Sequence, residues 1–211
     1  GASLFGCEHY SVYSSEVVEV APGVNTVIAR SDIRCEKGGE SKTTLNIDIF
    51  MDVWRKVVDE RTFLSTDWTV KLDPDTVFLA PRLRQVLAPL QARAAGTSRG
   101  MYLDNCKLGM RGSLEVLSRA AVGNWFSGMD RCRAFLRVFC PGDCLWGEDK
   151  FMDHCFRKEL TLERINNSGL LLEEHCDPPS GWETCHDRSI VAFHPFKDVA
   201  AYGACLIATL L

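Results

Sequence analysis

The chain has 211 residues, 46% of them hydrophobic and 25% charged, with a formal net charge of -4. That composition excludes a disordered chain and predicts a packed core. It also excludes a general nucleic-acid binder, which carries a basic surface, and no apolar run reaches the ~20 residues that span a bilayer.

Residues 3–5, 11–13 and 24–29 read as short strands, and C-E-K-G-G-E-S at 35–41 as a polar turn. A helix follows over 44–60, because Leu45, Ile49, Phe50, Val53, Trp54, Val57 and Val58 recur on one face. Trp68–Leu72 alternates as a strand. Residues 81–90 read as a helix with Pro81 in its first turn. A loop at 96–100 leads to strands at 101–103 and 114–117, then a short helix over 118–126. The Gly- and Cys-rich loop 140–147 precedes a helix over 148–160, and 190–194 is a last strand. The apolar C-terminal stretch reads as a core-packing helix too short to cross a membrane. Strands alternating with helices, with no repeat and no linker, predict a single domain over 1–211. Its expected fold is a three-layer α/β/α sandwich on a mainly parallel central sheet.

The ten cysteines lack the paired C-x-x-C spacing of a zinc site. Their even count and dispersed spacing fit disulfides in an oxidising compartment, without revealing the connectivity. The plain alternative is a set of buried thiols packing as small hydrophobes. An Asn166-Asn167-Ser168 sequon agrees with a secretory location.

The stretch W-T-V-K-L-D-P-D-T-V-F-L at 68–79 holds the most informative pair. Asp73 and Asp75 sit two apart, so an extended backbone points both to one side. Pro74 between them lacks an N–H and keeps Asp73 extended, ending the strand there. Open α/β sheets bind ligands at such strand ends. Two adjacent carboxylates repel, and a hard divalent cation, Mn²⁺ or Mg²⁺, relieves that repulsion. Lys71 alternates with Asp73 and can reach the acids or a phosphate. The plain alternative is an Asp-Pro-Asp-Thr turn capping the next helix.

Two later stretches add to this pair. In L-W-G-E-D-K-F-M-D-H-C-F at 145–156, Glu148 and Asp149 open a helix, where the dipole favours anions. A carboxylate held at a site mouth there can also serve as a general base. In I-V-A-F-H-P-F-K at 190–197, His194 ends an apolar strand. Neutral imidazole suits Mn²⁺ beside carboxylates, although a lone histidine is more often structural. Lys197 can contact a phosphate.

Taken in order, K-L-D-P-D-T-V-F, L-W-G-E-D and A-F-H-P-F-K resemble the GT-A nucleotide-sugar glycosyltransferases, and most of all the fringe and core-1 β-galactosyltransferase group. The resemblance covers residues 40–200. It implies a metal held by Asp73, Asp75 and His194, which in turn holds the diphosphate of a UDP-sugar; Lys71 and Lys197 are the candidate phosphate contacts read from the residues themselves. It implies Asp149 as the base for the hydroxyl of a glycan or glycoprotein acceptor, and a Golgi or extracellular location. Pro74 departs from the acid usual at that place in the group's motif. The group's first strand and nucleotide-base pocket fall upstream of residue 1, so the N-terminal part of the fold is expected to be truncated.

Two rivals remain at this level. A haloacid-dehalogenase phosphatase also opens with D-x-D-x-T, making Asp73 the nucleophile and Asp75 the acid/base. Lys71 interrupts the apolar strand that class needs. A disulfide-stapled domain that binds glycan or protein without turnover is the non-enzyme alternative.

Overall fold

The computed structural model describes residues 3–39, 42–140 and 144–210. Residues 40 and 41 of the expected turn and 141–143 of the expected loop lie outside the described residues. The N-terminal region carries short pairings. β1 (Tyr13–Ser14) lies parallel to β4 (Val27–Ile28), β2 (Glu19–Ala21) pairs with β3 (Val24–Asn25), and β5 (Lys37–Gly38) pairs with β6 (Thr43–Thr44). Residues 3–6 form a 3-10 turn where a strand was expected.

Helix α1 (Ile47–Glu60) forms within the predicted segment and fully buries Ile47, Met51 and Trp54; of the expected stripe only Trp54 is fully buried, with Val57 and Val58 packing partly buried against the core. It ends at Arg61, whose left-handed φ of 58° closes the helix. β7 (Trp68–Leu72) and β8 (Val77–Phe78) flank the acidic turn. α2 (Ala80–Leu87), a 3-10 turn and α3 (Gln91–Gly96) fill the stretch before β9 (Met101–Asp104) and β10 (Leu114–Ser118). α4 (Arg119–Phe139) runs well past the short helix expected there, with the Ser118 hydroxyl accepting from the Ala121 N–H at its start. α5 (Glu148–Lys158) begins where predicted. β11 (Glu163–Asn166), β12 (Leu171–Glu173), β13 (Ala192–His194) and α6 (Val199–Ala208) complete the chain.

The expected mainly parallel central sheet is not what forms. The described strands make small separate sheets, the largest being β11-β9-β10-β7 and β12-β13-β8. In the first, only β11 and β9 run parallel; β10 is antiparallel to both of its neighbours. In the second, β12 and β13 are parallel and β8 is antiparallel. The connection from β9 to β10, residues 105–113, is shorter than the dozen or so residues that a parallel crossover needs, so the pair closes antiparallel. The α/β class holds; the α/β/α sandwich built on one parallel sheet does not.

Side-chain alternation still sorts the larger sheet into two faces. Tyr102 and Leu117 pack on one side with Trp54, Trp125, Phe151 and Phe156 of α1, α4 and α5. Leu103, Leu114 and Val116 pack on the other with Phe78, Leu83 and Leu171. Each large side chain fully buried there contributes roughly 1.5–3 kcal/mol. α6 buries only Cys205 completely and leaves Val199 and Ile207 exposed, so it covers the core less fully than its composition suggests.

Four disulfides join Cys106–Cys176, Cys132–Cys155, Cys140–Cys144 and Cys185–Cys205, while Cys7 and Cys35 are free. They fit the oxidising conditions of a secretory or extracellular protein. Among the described residues, no helix is long and apolar enough to cross a membrane.

Candidate metal centre and active site

The acidic turn is the joint between the two main sheets. β7 belongs to the four-stranded sheet and β8 to the three-stranded one. The turn closes through Thr76 N–H donating to Asp73 O at 3.1 Å. The Thr76 hydroxyl donates to Ser113 O at 3.0 Å, and Phe196 N–H donates to Asp75 O at 2.8 Å. The backbone here is therefore fixed by local and long-range bonds.

Asp73, Asp75 and His194 each offer one ligand atom, and the three atoms lie within 4.8 Å of one another. His194 Nε2 is 3.3 Å from Asp75 Oδ1. All three residues are half-buried. Burial pulls the His194 pKa down, but Glu173, Asp75 and Asp73 together outweigh it and raise it. Two carboxylate oxygens and an imidazole nitrogen are a donor set that could hold a metal ion.

Lys71 is the hub beside this triad. Strand period places it on the same side as Asp73, and it stands directly across from Glu115 in the β7–β10 register. Its ammonium donates to Asp73 Oδ1 at 2.8 Å and to Gly112 O at 2.5 Å. Glu115 and Glu148 each approach it to 3.8 Å, and the Phe50 ring of α1 lies 4.2 Å away. Desolvation works against its charge, but Glu148, Glu115 and Asp73 outweigh it, so the ammonium holds its proton more tightly than a free lysine. Lys71 thus serves the acids first, one of the two roles its position allowed.

Glu115 and Glu148 are buried carboxyls with oxygens that have no hydrogen-bond partner among the described residues. Burial pushes both above the usual glutamate range; Glu148 raises Glu115 further, and Lys71 opposes the rise at each. The folded state therefore takes up protons. The stability this brings is fully present below the ordinary glutamate pKa of ~4.3 and is lost as pH rises through the raised folded value. Glu115→Gln is expected to unfold with a flatter pH dependence, and at neutral pH to be at least as stable as the parent. Urea midpoints across a pH series check this, and an unchanged slope refutes it.

Asp149 lies in the first turn of α5 and is partly exposed, with Oδ2 4.0 Å from an Arg111 guanidinium nitrogen. The α5 start is anchored by Asn46, whose Oδ1 accepts from Glu148 N–H at 2.9 Å. A side chain at Gly147 would be a tight fit, since a Cβ would meet Thr43 Oγ1 at 3.0 Å and Asp149 Oδ1 at 3.1 Å and those side chains would have to shift. Gly112 is equally confined: a Cβ would lie 3.2 Å from Lys71 Nζ, 3.3 Å from Glu148 Oε2 and 3.5 Å from Asp149 Cβ. Through Gly112 and Arg111, Asp149 becomes a neighbour of the Lys71–Asp73 pair.

The structure thus brings Lys71, Asp73, Asp75 and His194 together, with Asp149 close by. Lys197 is exposed and makes no hydrogen bond or ion pair among the described residues. Sequence reasoning missed Glu115, Glu173 and Arg111. For Glu115 a signal existed: an acid inside the apolar run L-E-V-L mirrors the lysine inside V-K-L. Glu173 ends the three-residue strand β12 and Arg111 lies in a loop, so neither carries a periodic signal.

A scan against protein-family models and a search of the curated proteins find no match for the chain.

Proposed function

We propose that the chain is the catalytic part of a metal-dependent glycosyltransferase. It transfers a sugar from a nucleoside-diphosphate donor, a UDP-sugar, to a hydroxyl of a glycan or glycoprotein in the secretory pathway, at the Golgi or beyond. The observation that carries this reading is the convergence of Asp73, Asp75 and His194 within 4.8 Å at one sheet end. Asp149 at a helix start nearby, with Arg111 beside it, adds support.

Asp73, Asp75 and His194 would hold Mn²⁺ or Mg²⁺, which supplies charge to stabilise a leaving diphosphate. Lys71 orients Asp73 and offsets the repulsion between neighbouring carboxylates. Asp149 accepts the proton of the acceptor hydroxyl as that oxygen attacks the sugar. No covalent sugar–enzyme intermediate is needed.

Calorimetric titration with UDP, with and without Mn²⁺, tests the proposal. Mn²⁺-dependent binding is expected, and Asp75→Ala should weaken it by about 100-fold or more, since even outer partners of a metal ligand are worth ~10–100-fold. The fold should survive, because Asp75 anchors Phe196 through its backbone oxygen, not its side chain. Unchanged UDP and Mn²⁺ binding in Asp75→Ala would sink the reading. Turnover of a simple phosphomonoester, lost in Asp73→Asn, would favour the phosphatase instead.

A further inference from the structure

We propose that Glu173 is the positioning residue of this centre: it holds His194 as the Nδ1–H tautomer and so leaves the Nε2 lone pair facing Asp75. This rests on the metal reading above and deepens it.

Glu173 and His194 end adjacent parallel strands and are in direct register, Glu173 against His194. Their side chains therefore project to the same face. Glu173 is 4% exposed. Its Oε1 lies 3.8 Å from His194 Nδ1, and that nitrogen is buried with no hydrogen-bond partner among the described residues. The opposite ring nitrogen, Nε2, faces Asp75 at 3.3 Å. Glu173 thus meets the ring edge away from the acidic pair and stands outside the triad of convergent ligand atoms. It acts through the histidine. A carboxylate behind a ligating imidazole fixes the tautomer and ring angle and raises the basicity of the ligand nitrogen.

Glu173 is itself held from behind. Its Oε1 is 2.9 Å from His175 Nδ1, and its Oε2 is 3.7 Å from Arg111 Nε. The turn that follows β12, Glu174–Cys176, is tied to the segment after β9 by the Cys106–Cys176 disulfide. These restraints suit a group whose task is to aim another side chain. A purely structural Glu173, serving only His175 and Arg111, would leave the His194 tautomer unaffected.

The test reads the ring directly. Long-range proton–nitrogen NMR on histidine-labelled, metal-free protein at about pH 9, well above the ordinary histidine range of ~6.5, reports which nitrogen carries the proton. The proton is expected on Nδ1 of His194. In Glu173→Ala it should redistribute towards Nε2, and affinity for Mn²⁺ alone should fall by about 10–100-fold. Glu173→Gln keeps an acceptor oxygen and should restore the tautomer and part of the affinity. A parent protein with the proton on Nε2 overturns the assignment, and this result needs no variant to fold. So does a folded Glu173→Ala that keeps both the tautomer and the Mn²⁺ affinity. If the parent shows the Nδ1–H tautomer but binds no Mn²⁺, the transferase reading fails and the Glu173–His194 assignment stands.

Discussion

Asp149→Asn is expected to bind UDP and Mn²⁺ as the parent does and to lose sugar transfer by about 10²–10⁴-fold, the usual worth of a general base. The substitution keeps the shape of a side chain that is already partly open to solvent. Asp149 sits in the first turn of α5, so removing its charge costs only a fraction of a kcal/mol in dipole interaction, about 0.3–1. Binding and turnover should therefore separate cleanly: calorimetry unchanged, product formation gone. Retained turnover would clear Asp149 of the base role. Loss of donor binding would mean that it contacts the donor instead.

Lys71→Met is expected to destabilise the domain by about 3–5 kcal/mol, the cost of breaking a buried ion pair from one side. Among the described residues, Lys71 is the one cation shared by Asp73, Glu115 and Glu148, and its side chain is 11% exposed. Methionine fills much of the same volume but leaves those carboxylates facing one another without a counter-charge. Both buried glutamates already hold their protons above the usual range, and removing the lysine raises them further. The deficit should therefore shrink as pH falls and the carboxyls are neutralised. Adding Glu148→Gln to Lys71→Met should recover part of the loss. Urea unfolding at about pH 7 and about pH 5 checks this, and a Lys71→Met protein as stable as the parent at pH 7 would refute it.

The sequence located the acidic turn better than it located the sheet. Alternation over Trp68–Leu72, with Pro74 breaking the strand, located the acidic turn, because strand period and proline geometry are local properties. The start of α5 was equally plain from Gly147 and the apolar face behind Glu148. Strand pairing is not local. Alternating strands and helices suggested parallel neighbours, but the partners of β7 and β9 are set by which edges meet across distant parts of the chain. β11, with the sequence E-R-I-N, is too short and polar to announce itself, yet it forms the one parallel pair in the larger sheet. Glu173 was hidden for a related reason. A single acid ending a three-residue strand acquires meaning only when that strand lies beside β13 and brings it level with His194.

The acidic turn also has a mechanical meaning. Asp73 and Asp75 leave the four-stranded sheet where the chain crosses over, and His194 ends a strand of the three-stranded sheet. Among the described strands, no ladder of backbone bonds joins these two sheets. A cation gripped by all three side chains would act as a rivet across the seam, so that occupancy of the site and cohesion of the domain become one quantity. At a hundredfold excess over its dissociation constant, such a ligand adds about 2.7 kcal/mol to the folded state. The seam would then stiffen as the site fills.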